Sequence, residues 1–500
     1  MKPELQNEEV MAMYDVRGIQ NYIFKSNAAK EIVGASVLVE KIITEGLKEY
    51  VQSLEEKERV HYMTEWMTDD PEAFFKDSSV EMQIMFVGGG NAYALFRRGS
   101  VCQNVNRFLA RYILERTYSL NLAVAVVLRT EDYHNDHEKI NQEMRRIKAH
   151  MPLSMPVGAM PFMAADAATG YPLTVKEKDQ FFSTESSLKR KSFPKQEDEK
   201  IFDNMVTEKG DSSTLAVFHI DGNSMGNRIK TQMQDIRDYG EAVRRMRQIS
   251  SEISTAFRTM VDKMKIYMDK VAPQIKKGTT HKLYREIIAA GDDITFVCNA
   301  RLAIPAVDYF LSHIGDDGEF TACGGIAFFN SHFPFADAYQ VAEACCESAK
   351  KRAKLNENRG EQDKVGNFLD FQICTNIRAS ALEDYRDRHY KNRDGRFVAR
   401  PYYVPASVDC FGLNDRNDRY SIERLKGWAE YFCAMPRNKA KELRDVIPVG
   451  ENEIKKEIAF LKSRGYQELE GNQEDKKIWY DALEIMDWYI KELWRGGKGK

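Results

Sequence analysis

The chain has 500 residues, of which 43% are hydrophobic and 11% aromatic, so it can build real cores and is not broadly disordered. Its 73 basic and 76 acidic residues give a formal net charge of -3, which excludes a global electrostatic signal for nucleic-acid or membrane binding. A local basic groove is compatible with this balance. Length alone predicts roughly three to four domains of about 150 residues each.

Cysteine usage and apolar runs predict where the protein resides. The eight cysteines are scattered and include no C-x-x-C pair, which is typical of reduced thiols in a cytosolic protein. The opening residues, "MKPELQNEEV", are charged and lack the apolar core of a signal peptide. No run approaches the ~18 apolar residues of a membrane span. We therefore expect a cytoplasmic protein without a membrane partner.

The first part of the chain is predicted to alternate strands and helices. A strand ends near Asp15 and leads through a glycine-containing turn to a helical apolar pattern at 27–50. Residues 81–96 read as a strand, the turn "GGGN" and a second strand. A helix at 101–116, a strand at 120–128 and the charged helix "DHEKINQEMRRIKAH" close this unit.

The same order of elements returns from residue 214. The strand "TLAVFHID" ends at Asp221 and is followed by the turn "GNSMGN" and a long helix at 235–271. The segment "YREIIAAGDDITFVCN" reads as strand, glycine turn and strand. The helix "RLAIPAVDYFLSHI", the strand "FTACGGIAFFN" and the amphipathic helix "FADAYQVAEACCESAKKRAK" complete the second unit.

This repetition predicts an internal duplication at weak sequence identity. Each copy has the βαββαβ order of a ferredoxin-like palm, an α+β fold in which helices cover one face of an antiparallel sheet. Apolar residues at helical spacing predict a C-terminal helical bundle. The expected domains are a first, degenerate palm at 1–150, a linker or small insert at 151–210, a second, catalytic palm at 211–380 and the bundle at 381–500.

Three aspartates of the second copy are predicted to meet at one edge of its sheet. Asp221 ends one strand, and Asp292 and Asp293 lie in the turn between two neighbouring strands. Two Mg²⁺ ions about 3.5–4 Å apart can clamp the attacking and leaving oxygens of phosphoryl transfer, and they prefer carboxylate ligands. Gly222 and Gly291 allow the backbone to approach phosphates closely. Each feature alone is typical of a turn or a helix cap, but their combination favours a metal and nucleotide site.

The first copy lacks the acidic pair. Its tip reads "VGGGNAYALF", so Gly90 and Asn91 take the positions of the two aspartates, and Asp15 has no second carboxylate beside it. We expect this copy to bind metal poorly. Its glycines, Gly89 and Gly90, either cradle a nucleotide or pack against the other copy, and the sequence leaves both alternatives open.

The motifs resemble a known family. "YDVRGIQNYIFKSNAAKEIVGAS" and "FVGGGNAYALF" resemble the first palm of the large polymerase/cyclase subunit of type III CRISPR effector complexes. "FHIDGNSMG", "AAGDDITF" and "CGGIAFFNSHFPFADAYQVAEACCESAK" resemble its second palm. The resemblance spans roughly 11–370 and implies that ATP is converted into cyclic oligoadenylate second messengers in antiviral defence, with two Mg²⁺ or Mn²⁺ ions. The more distant GGDEF-type diguanylate cyclases share this palm, so GTP is a weaker alternative substrate.

The resemblance implies roles for individual residues. Asp221, Asp292 and Asp293 correspond to catalytic, metal-binding carboxylates, and the backbone at Gly222 and Asn223 is expected to help hold a triphosphate.

One lysine has two interpretations. Ala349-Lys350 matches an Ala-Lys pair that places a lysine near the triphosphate. From the pattern alone, Lys350 is a solvated helix residue, and the adjacent Lys351 competes for the same role.

The sequence departs from the family pattern in three places. The palm begins near residue 11, so we do not expect the HD nuclease domain that often precedes it, and no cysteine lies between 102 and 298, where many members carry a zinc module. Ala290 replaces the first glycine of a Gly-Gly-Asp-Asp motif. If Ala290 needed a positive φ, the turn would cost about 1 kcal/mol or more, whereas an extended Ala290 would cost nothing.

A non-enzymatic rival hypothesis is a palm-domain scaffold that binds RNA or bridges other effector-complex subunits. The acidic triad argues against it, because clustered carboxylates repel one another without a cation. For the enzyme, the expected partners are RNA-guided effector subunits or a second copy of the chain, and a downstream protein that senses the cyclic nucleotide.

Overall fold

The computed structural model describes residues 3–88, 90–151, 156, 158–198, 200–207, 213–276, 281–315, 320–358, 365–374, 382–408, 413, 420–466, 469 and 473–495. The chain divides into two compact units. The first contains Met1–Lys200 and Ser224–Thr255, and the second contains Ile201–Asn223 and Ala256–Lys500.

The elements follow the order expected from the sequence. The strands are β1 (Val10–Arg17), β2 (Tyr62–Met63), β3 (Met82–Gly88), β4 (Asn91–Phe96), β5 (Asn121–Leu128), β6 (Leu173–Glu177), β7 (Gln180–Ser183), β8 (Thr214–Gly222), β9 (Tyr284–Ala290), β10 (Asp293–Asn299), β11 (Ala322–Asn330), β12 (Asn367–Ile373), β13 (Lys391–Asn392), β14 (Gly395–Arg396) and β15 (Tyr402–Val404). The α-helices are α1 (Ile19–Phe24), α2 (Ala29–Glu40), α3 (Ile42–Gln52), α4 (Glu56–Arg59), α5 (Ala73–Lys76), α6 (Gly99–Thr117), α7 (Tyr133–His150), α8 (Thr184–Lys191), α9 (Ile201–Met205), α10 (Met225–Met233), α11 (Tyr239–Ile275), α12 (Ala300–His313), α13 (Phe335–Ala353), α14 (Leu382–His389), α15 (Ile422–Ala434), α16 (Arg437–Val446), α17 (Glu451–Ser463), α18 (Gln473–Ile485) and α19 (Lys491–Arg495).

The first unit is built on a sheet with the strand order β2-β3-β4-β1-β5. Its inner part, β5-β1-β4-β3, is antiparallel and has the ferredoxin-like order, with the short β2 added in parallel at the edge. The Tyr14 hydroxyl of β1 donates to Asn106 of α6 at 2.7 Å, whereas the next residue, Asp15, contacts Lys148 of α7. Because successive strand residues point to opposite faces, α6 and α7 cover opposite faces of this sheet.

The second unit repeats this topology. Its strand order is β15-β12-β11-β8-β10-β9, in which β11-β8-β10-β9 is the ferredoxin-like core. β12 pairs in parallel with β11, and β15 extends the outer edge. The predicted α+β class with two duplicated ferredoxin-like palms is therefore confirmed.

The expectation that helices cover only one face of each sheet is wrong, and two glycines of β11 show why. A Cβ on Gly324 would lie 2.6 Å from Val307 of α12, while a Cβ on Gly325 would lie 2.0 Å from the carbonyl oxygen of Ala342 in α13. Consecutive residues point to opposite faces, so α12 and α13 enclose the sheet from both sides. Gly325 lets the α13 backbone approach the strand closely, which brings this helix to the functional end of the sheet.

The stretch predicted as a linker or small insert contains secondary structure. The hairpin β6–β7 and α8 belong to the first unit, where α8 packs on α2. A Cβ on Gly34 of α2 would lie 1.9 Å from the carbonyl oxygen of Lys189, so glycine is required at this close approach. The buried Lys189 ammonium donates to the Glu185 carboxylate and to the Tyr22 carbonyl, both at 2.7 Å. The charged residues of α8 therefore form a buried ion pair between Lys189 and Glu185, whereas the composition predicted a solvated linker.

The region after residue 381 is mainly helical, as predicted, but its β15 joins the sheet of the second palm. Trp479 of α18 is fully buried and packs edge-on against Trp428 of α15, with ring centroids 5.1 Å apart. Within the described ranges, no helix combines the length and the apolar character needed to cross a membrane.

Candidate active site

Two of the three predicted carboxylates lie side by side at one end of the second sheet. Asp221 is next to last in β8, and Asp293 is the first residue of β10. The antiparallel register pairs Ile220 with Ile294, so its continuation by one residue places Asp221 opposite Asp293. Residues opposite each other in an antiparallel pair share a face, which brings these two side chains together.

The third carboxylate, Asp292, lies in a two-residue hairpin loop. Ala290 pairs with Asp293, which leaves Gly291 and Asp292 to form the turn. Gly291 has φ +65, and glycine at the first position of such a loop is typical of a type II′ turn. A Cβ on Gly291 would meet no atom within 4 Å, so the space beside the turn is open.

The alanine that departs from the family motif carries no strain. Ala290 is the last residue of β9 and is not among the described residues with positive φ. The left-handed conformation falls on Gly291, where glycine is present. The substitution therefore does not distort the turn.

Lys350 reaches the same end of the sheet from α13. Its Nζ donates to Oδ2 of Asp221 at 2.5 Å, and the two side chains are 14% and 32% exposed. Burial acts to lower the pKa of Lys350, but the hydrogen bond and the charge of Asp221 outweigh it, so the pKa is raised. The interpretation of Lys350 as a solvated residue is wrong, and its competitor Lys351 is exposed.

The negative charges at this end of the sheet interact. Burial raises the pKa of Asp292, and the charges of Asp221 and Asp293 raise it further, to about 6, against a smaller lowering effect of Lys350. A cation placed here would relieve this repulsion, and three carboxylates are a suitable donor set for Mg²⁺ or Mn²⁺. Among the described residues, however, no three His, Cys, Asp or Glu side chains already form a metal-binding cluster. In this structure the cation beside Asp221 is the Lys350 ammonium.

Asn223 has a different role from the one expected. Its backbone N–H donates to the carbonyl oxygen of Thr321 at 2.8 Å. Its side-chain amide donates to the Thr321 hydroxyl and to the carbonyl of Gly366, both at 3.1 Å. These bonds use the donors that a triphosphate would need, so Asn223 fixes the chain after β8. Gly222, at the end of β8, pairs with Ala322 and is buried.

Several polar residues around the carboxylates were missed from the sequence. His219 lies two residues before Asp221 on the same face of β8, and Thr295 lies two residues after Asp293 on β10. His219 is 5% exposed, and its ring packs edge-on against Tyr339 of α13 with centroids 6.0 Å apart. Burial lowers the pKa of His219 despite the nearby carboxylates, which favours the neutral form of the imidazole. Side chains alternate between the two faces along a strand, so His219 and Thr295 could have been recognised from the sequence as same-face neighbours of Asp221 and Asp293.

A further carboxylate approaches from α13. Glu343 lies seven residues before Lys350, which is two helical turns along the same face. Burial raises the pKa of Glu343, His219 lowers it, and the charges of Asp293 and Asp221 are among the causes that raise it. The helix therefore presents both a carboxyl group, Glu343, and an ammonium group, Lys350, to the carboxylate end of the sheet.

The first palm preserves part of this arrangement. Lys148 of α7 donates to Asp15 of β1 at 2.5 Å, which is the counterpart of the Lys350–Asp221 pair. Asp15 lies opposite Asn91, where the second palm has a carboxylate. Gly90 has φ +81, and a Cβ on it would lie 2.4 Å from Ile19, so the fold itself requires glycine there. Gly89 lies outside the described residues, and its nucleotide-binding role stays a prediction.

Both palms carry a strand aspartate, but only the second carries an acidic pair at its hairpin, and this defines a double-palm protein with a single acidic hairpin. Residues 214–359 match the family model described as Cas10/Cmr2, second palm domain. This match confirms that the second palm resembles the corresponding domain of the large polymerase/cyclase subunit of type III CRISPR systems.

Solved structures show the same fold over nearly the whole chain. Csm1 of T. onnurineus is similar with a TM-score of 0.50 and 12% identity, over 97% of this chain and 70% of that one. A Csm1–Csm4 cassette in complex with pppApApA is similar with a TM-score of 0.50 and 13% identity, over 96% of this chain and 69% of that one. At these identities the likeness concerns the fold alone. A comparison with curated protein sequences gives no match.

Proposed function

We propose that the chain is a palm-type nucleotidyltransferase that converts ATP into cyclic oligoadenylates by metal-assisted phosphoryl transfer. The observation that carries this proposal is the set of carboxylates at the hairpin and strand ends of the second palm, with the Lys350 ammonium beside them. Their absence from the equivalent hairpin of the first palm restricts the chemistry to one centre.

Each residue has a defined part in this mechanism. Asp221, Asp292 and Asp293 would hold two Mg²⁺ or Mn²⁺ ions, which supply stabilisation of the charge that develops on the α-phosphate and on the attacking ribose oxygen. The open space beside Gly291 leaves room for a phosphate to approach the turn. Lys350 would leave Asp221 when the nucleotide binds and would then place its positive charge beside the triphosphate.

The choice of adenine nucleotides rests on similarity. The Csm1–Csm4 cassette that shares this fold was solved with pppApApA, an adenosine oligonucleotide that carries a triphosphate. The same cassette supports the expectation that this chain works with a further effector-complex subunit. GTP remains the weaker alternative substrate, since base contacts do not follow from the fold.

The test is a product assay with the full chain. The protein is incubated with each labelled nucleoside triphosphate and Mg²⁺ or Mn²⁺, with and without effector subunits and target RNA, and products are separated by chromatography. We expect cyclic oligoadenylates from ATP and none from the Asp292→Ala/Asp293→Ala double variant. Asp262→Asn, an exposed acidic residue of α11, is the control that keeps activity. No product from any nucleotide under any of these conditions would refute the proposal.

The scaffold hypothesis makes the opposite prediction. A scaffold would bind RNA or effector subunits equally well in the wild type and in the Asp292→Ala/Asp293→Ala variant, and neither would form product. The shift of the Asp292 pKa favours the enzyme, because a scaffold gains nothing from carboxylates that repel one another.

A further inference from the structure

Two polar side chains lie directly behind one of the three carboxylates. Nδ1 of His219 is 3.2 Å from Oγ1 of Thr295 and 3.5 Å from Oδ1 of Asp293. An ionised carboxylate only accepts hydrogen bonds, so a hydrogen on Nδ1 makes this approach attractive, whereas a lone pair there would make it repulsive. The geometry therefore favours an imidazole that carries a hydrogen on Nδ1. That hydrogen is donated to Thr295 and faces Asp293.

The sheet fixes this group of residues in place. His219 pairs directly with Thr295 across β8 and β10, and Asp221 and Asp293 follow at the next positions on the same face. The Tyr339 ring stands at 81° to the imidazole and restrains it from the helix side. His219 has little freedom to turn away from Asp293, because its side chain is buried between β8 and Tyr339 of α13.

The duplication provides an internal comparison. In the first palm the positions of His219 and Thr295 are taken by Met13 and Tyr93, which pair across β1 and β4. The same palm has Asn91 in place of Asp293. The ion pair between the strand aspartate and the helix lysine occurs in both palms, but the histidine and the threonine occur only where the carboxylate occurs.

We propose that His219 is a positioning residue, which together with Thr295 holds the Asp293 carboxylate in the orientation that binds a divalent cation. Carboxylates that bind metals are themselves commonly hydrogen-bonded, and these outer contacts orient the ligand. The inference rests on the proposed function, since it assigns a role within the same metal site. It adds two residues that contribute through Asp293 without touching the nucleotide.

The test measures metal binding in the full chain, independently of catalysis. Mn²⁺ is titrated into each protein and the free ion is followed by electron paramagnetic resonance, with thermal unfolding recorded in parallel. His219→Leu is expected to weaken Mn²⁺ binding by about 10- to 100-fold, the range found for residues that support metal ligands. His219→Asn is expected to recover most of the affinity, because the asparagine amide can donate from nearly the position of Nδ1.

Thr295 and the first palm supply matched controls. Thr295→Val removes the hydroxyl at constant shape and is expected to weaken Mn²⁺ binding, while Thr295→Ser retains it. Met13→Leu changes the equivalent strand position in the palm without the acidic pair and is expected to leave Mn²⁺ affinity unchanged. If His219→Leu does not fold, the two Thr295 variants carry the same comparison.

The outcomes separate this inference from the proposed function. Unchanged Mn²⁺ affinity in a folded His219→Leu protein, or equal weakening by His219→Leu and His219→Asn, would overturn the positioning role. A wild-type protein that binds no Mn²⁺ overturns it as well. If the wild type binds Mn²⁺ with the expected pattern among variants but forms no product from any nucleotide, the positioning role stands and the proposed function fails.

Discussion

The ion pair between Lys350 and Asp221 predicts that one lysine has opposite effects on metal and nucleotide binding. Without a nucleotide, the Lys350 ammonium contacts the Asp221 carboxylate, where a divalent cation would otherwise bind. Replacing Lys350 with methionine keeps most of the side-chain volume and removes the charge. We expect Lys350→Met to bind Mn²⁺ more tightly than the wild type in the absence of nucleotide, and to lose product formation because the triphosphate loses its cation.

The magnitude follows from the separation and the exposure of the two groups. At the observed 2.5 Å, the attraction between unit charges is about 2 to 7 kcal/mol for an effective dielectric constant of about 80 to 20. The side chains are 14% and 32% exposed, so hydration offsets much of this attraction, and about 1 to 2 kcal/mol remains as a net contribution. Removing the lysine should therefore tighten Mn²⁺ binding by about 5- to 30-fold.

The assay is an Mn²⁺ titration by electron paramagnetic resonance, followed by the chromatographic product assay on the same protein. Lys148→Met is the matched control, because Lys148 forms the same 2.5 Å contact in the palm that lacks the acidic pair. It should not change Mn²⁺ affinity. Unchanged or weaker Mn²⁺ binding by Lys350→Met would refute the idea that the lysine and the metal compete for Asp221. Full product formation by that variant would refute its phosphate role.

Three further predictions concern folding of the second unit, each read from equilibrium unfolding. Gly325→Ala would force a Cβ into the α13 backbone and should lower the free energy of unfolding by about 1–3 kcal/mol or more. The control Gly427→Ala, in an open position of helix α15, should raise it by up to about 1 kcal/mol. Equal effects of the two substitutions would contradict the close contact at Gly325. Arg386→Met leaves the buried Asp370 carboxylate without its bidentate partner and should lower the free energy of unfolding by about 3–5 kcal/mol. A loss below about 1 kcal/mol, the contribution of an exposed ion pair, would disprove the structural importance of this pair. Because the folded protein raises the pKa of Asp292 to about 6, ionisation of this group destabilises the fold as pH rises from about 4 through 6. Asp292→Asn should therefore stabilise the protein at pH 7 and leave stability unchanged near pH 4, and the same gain at both pH values would exclude this linkage.

The sequence predicted the parts of the site that depend on local order. Once the βαββαβ order is recognised, the strand that ends at Asp221 and the Gly-Asp hairpin must meet at the same end of the sheet, which places the three aspartates there. The strand register then places Asp221 opposite Asp293. Lys350 was found through the resemblance, since its partner lies on a strand far away in the chain and no local pattern reports that contact.

Other features depend on information that local patterns do not contain. An amphipathic helix shows that it has one apolar face, but it does not show which side of a sheet that face covers, so the placement of α13 opposite α12 was missed. The charged composition of α8 indicated a solvated segment, yet Lys189 and Glu185 satisfy each other in the interior. His219 was missed because a single histidine in an apolar strand is informative only when its cross-strand neighbour is known.

The two palms together separate what the fold requires from what the chemistry adds. The Asp–Lys pair is present in both, so it does not depend on the acidic hairpin and serves the palm itself by joining its first strand to its last helix. In the first palm, Lys148 has no adjacent acidic pair that would bring a competing cation to Asp15. In the second palm, the hairpin aspartates would supply that competition under the proposed function, and Asp221 would then exchange the lysine for a metal while the lysine turns to a triphosphate. Under the proposed function, the difference between a structural palm and a catalytic one therefore lies in β10 and its hairpin, and in the side chains beside Asp293.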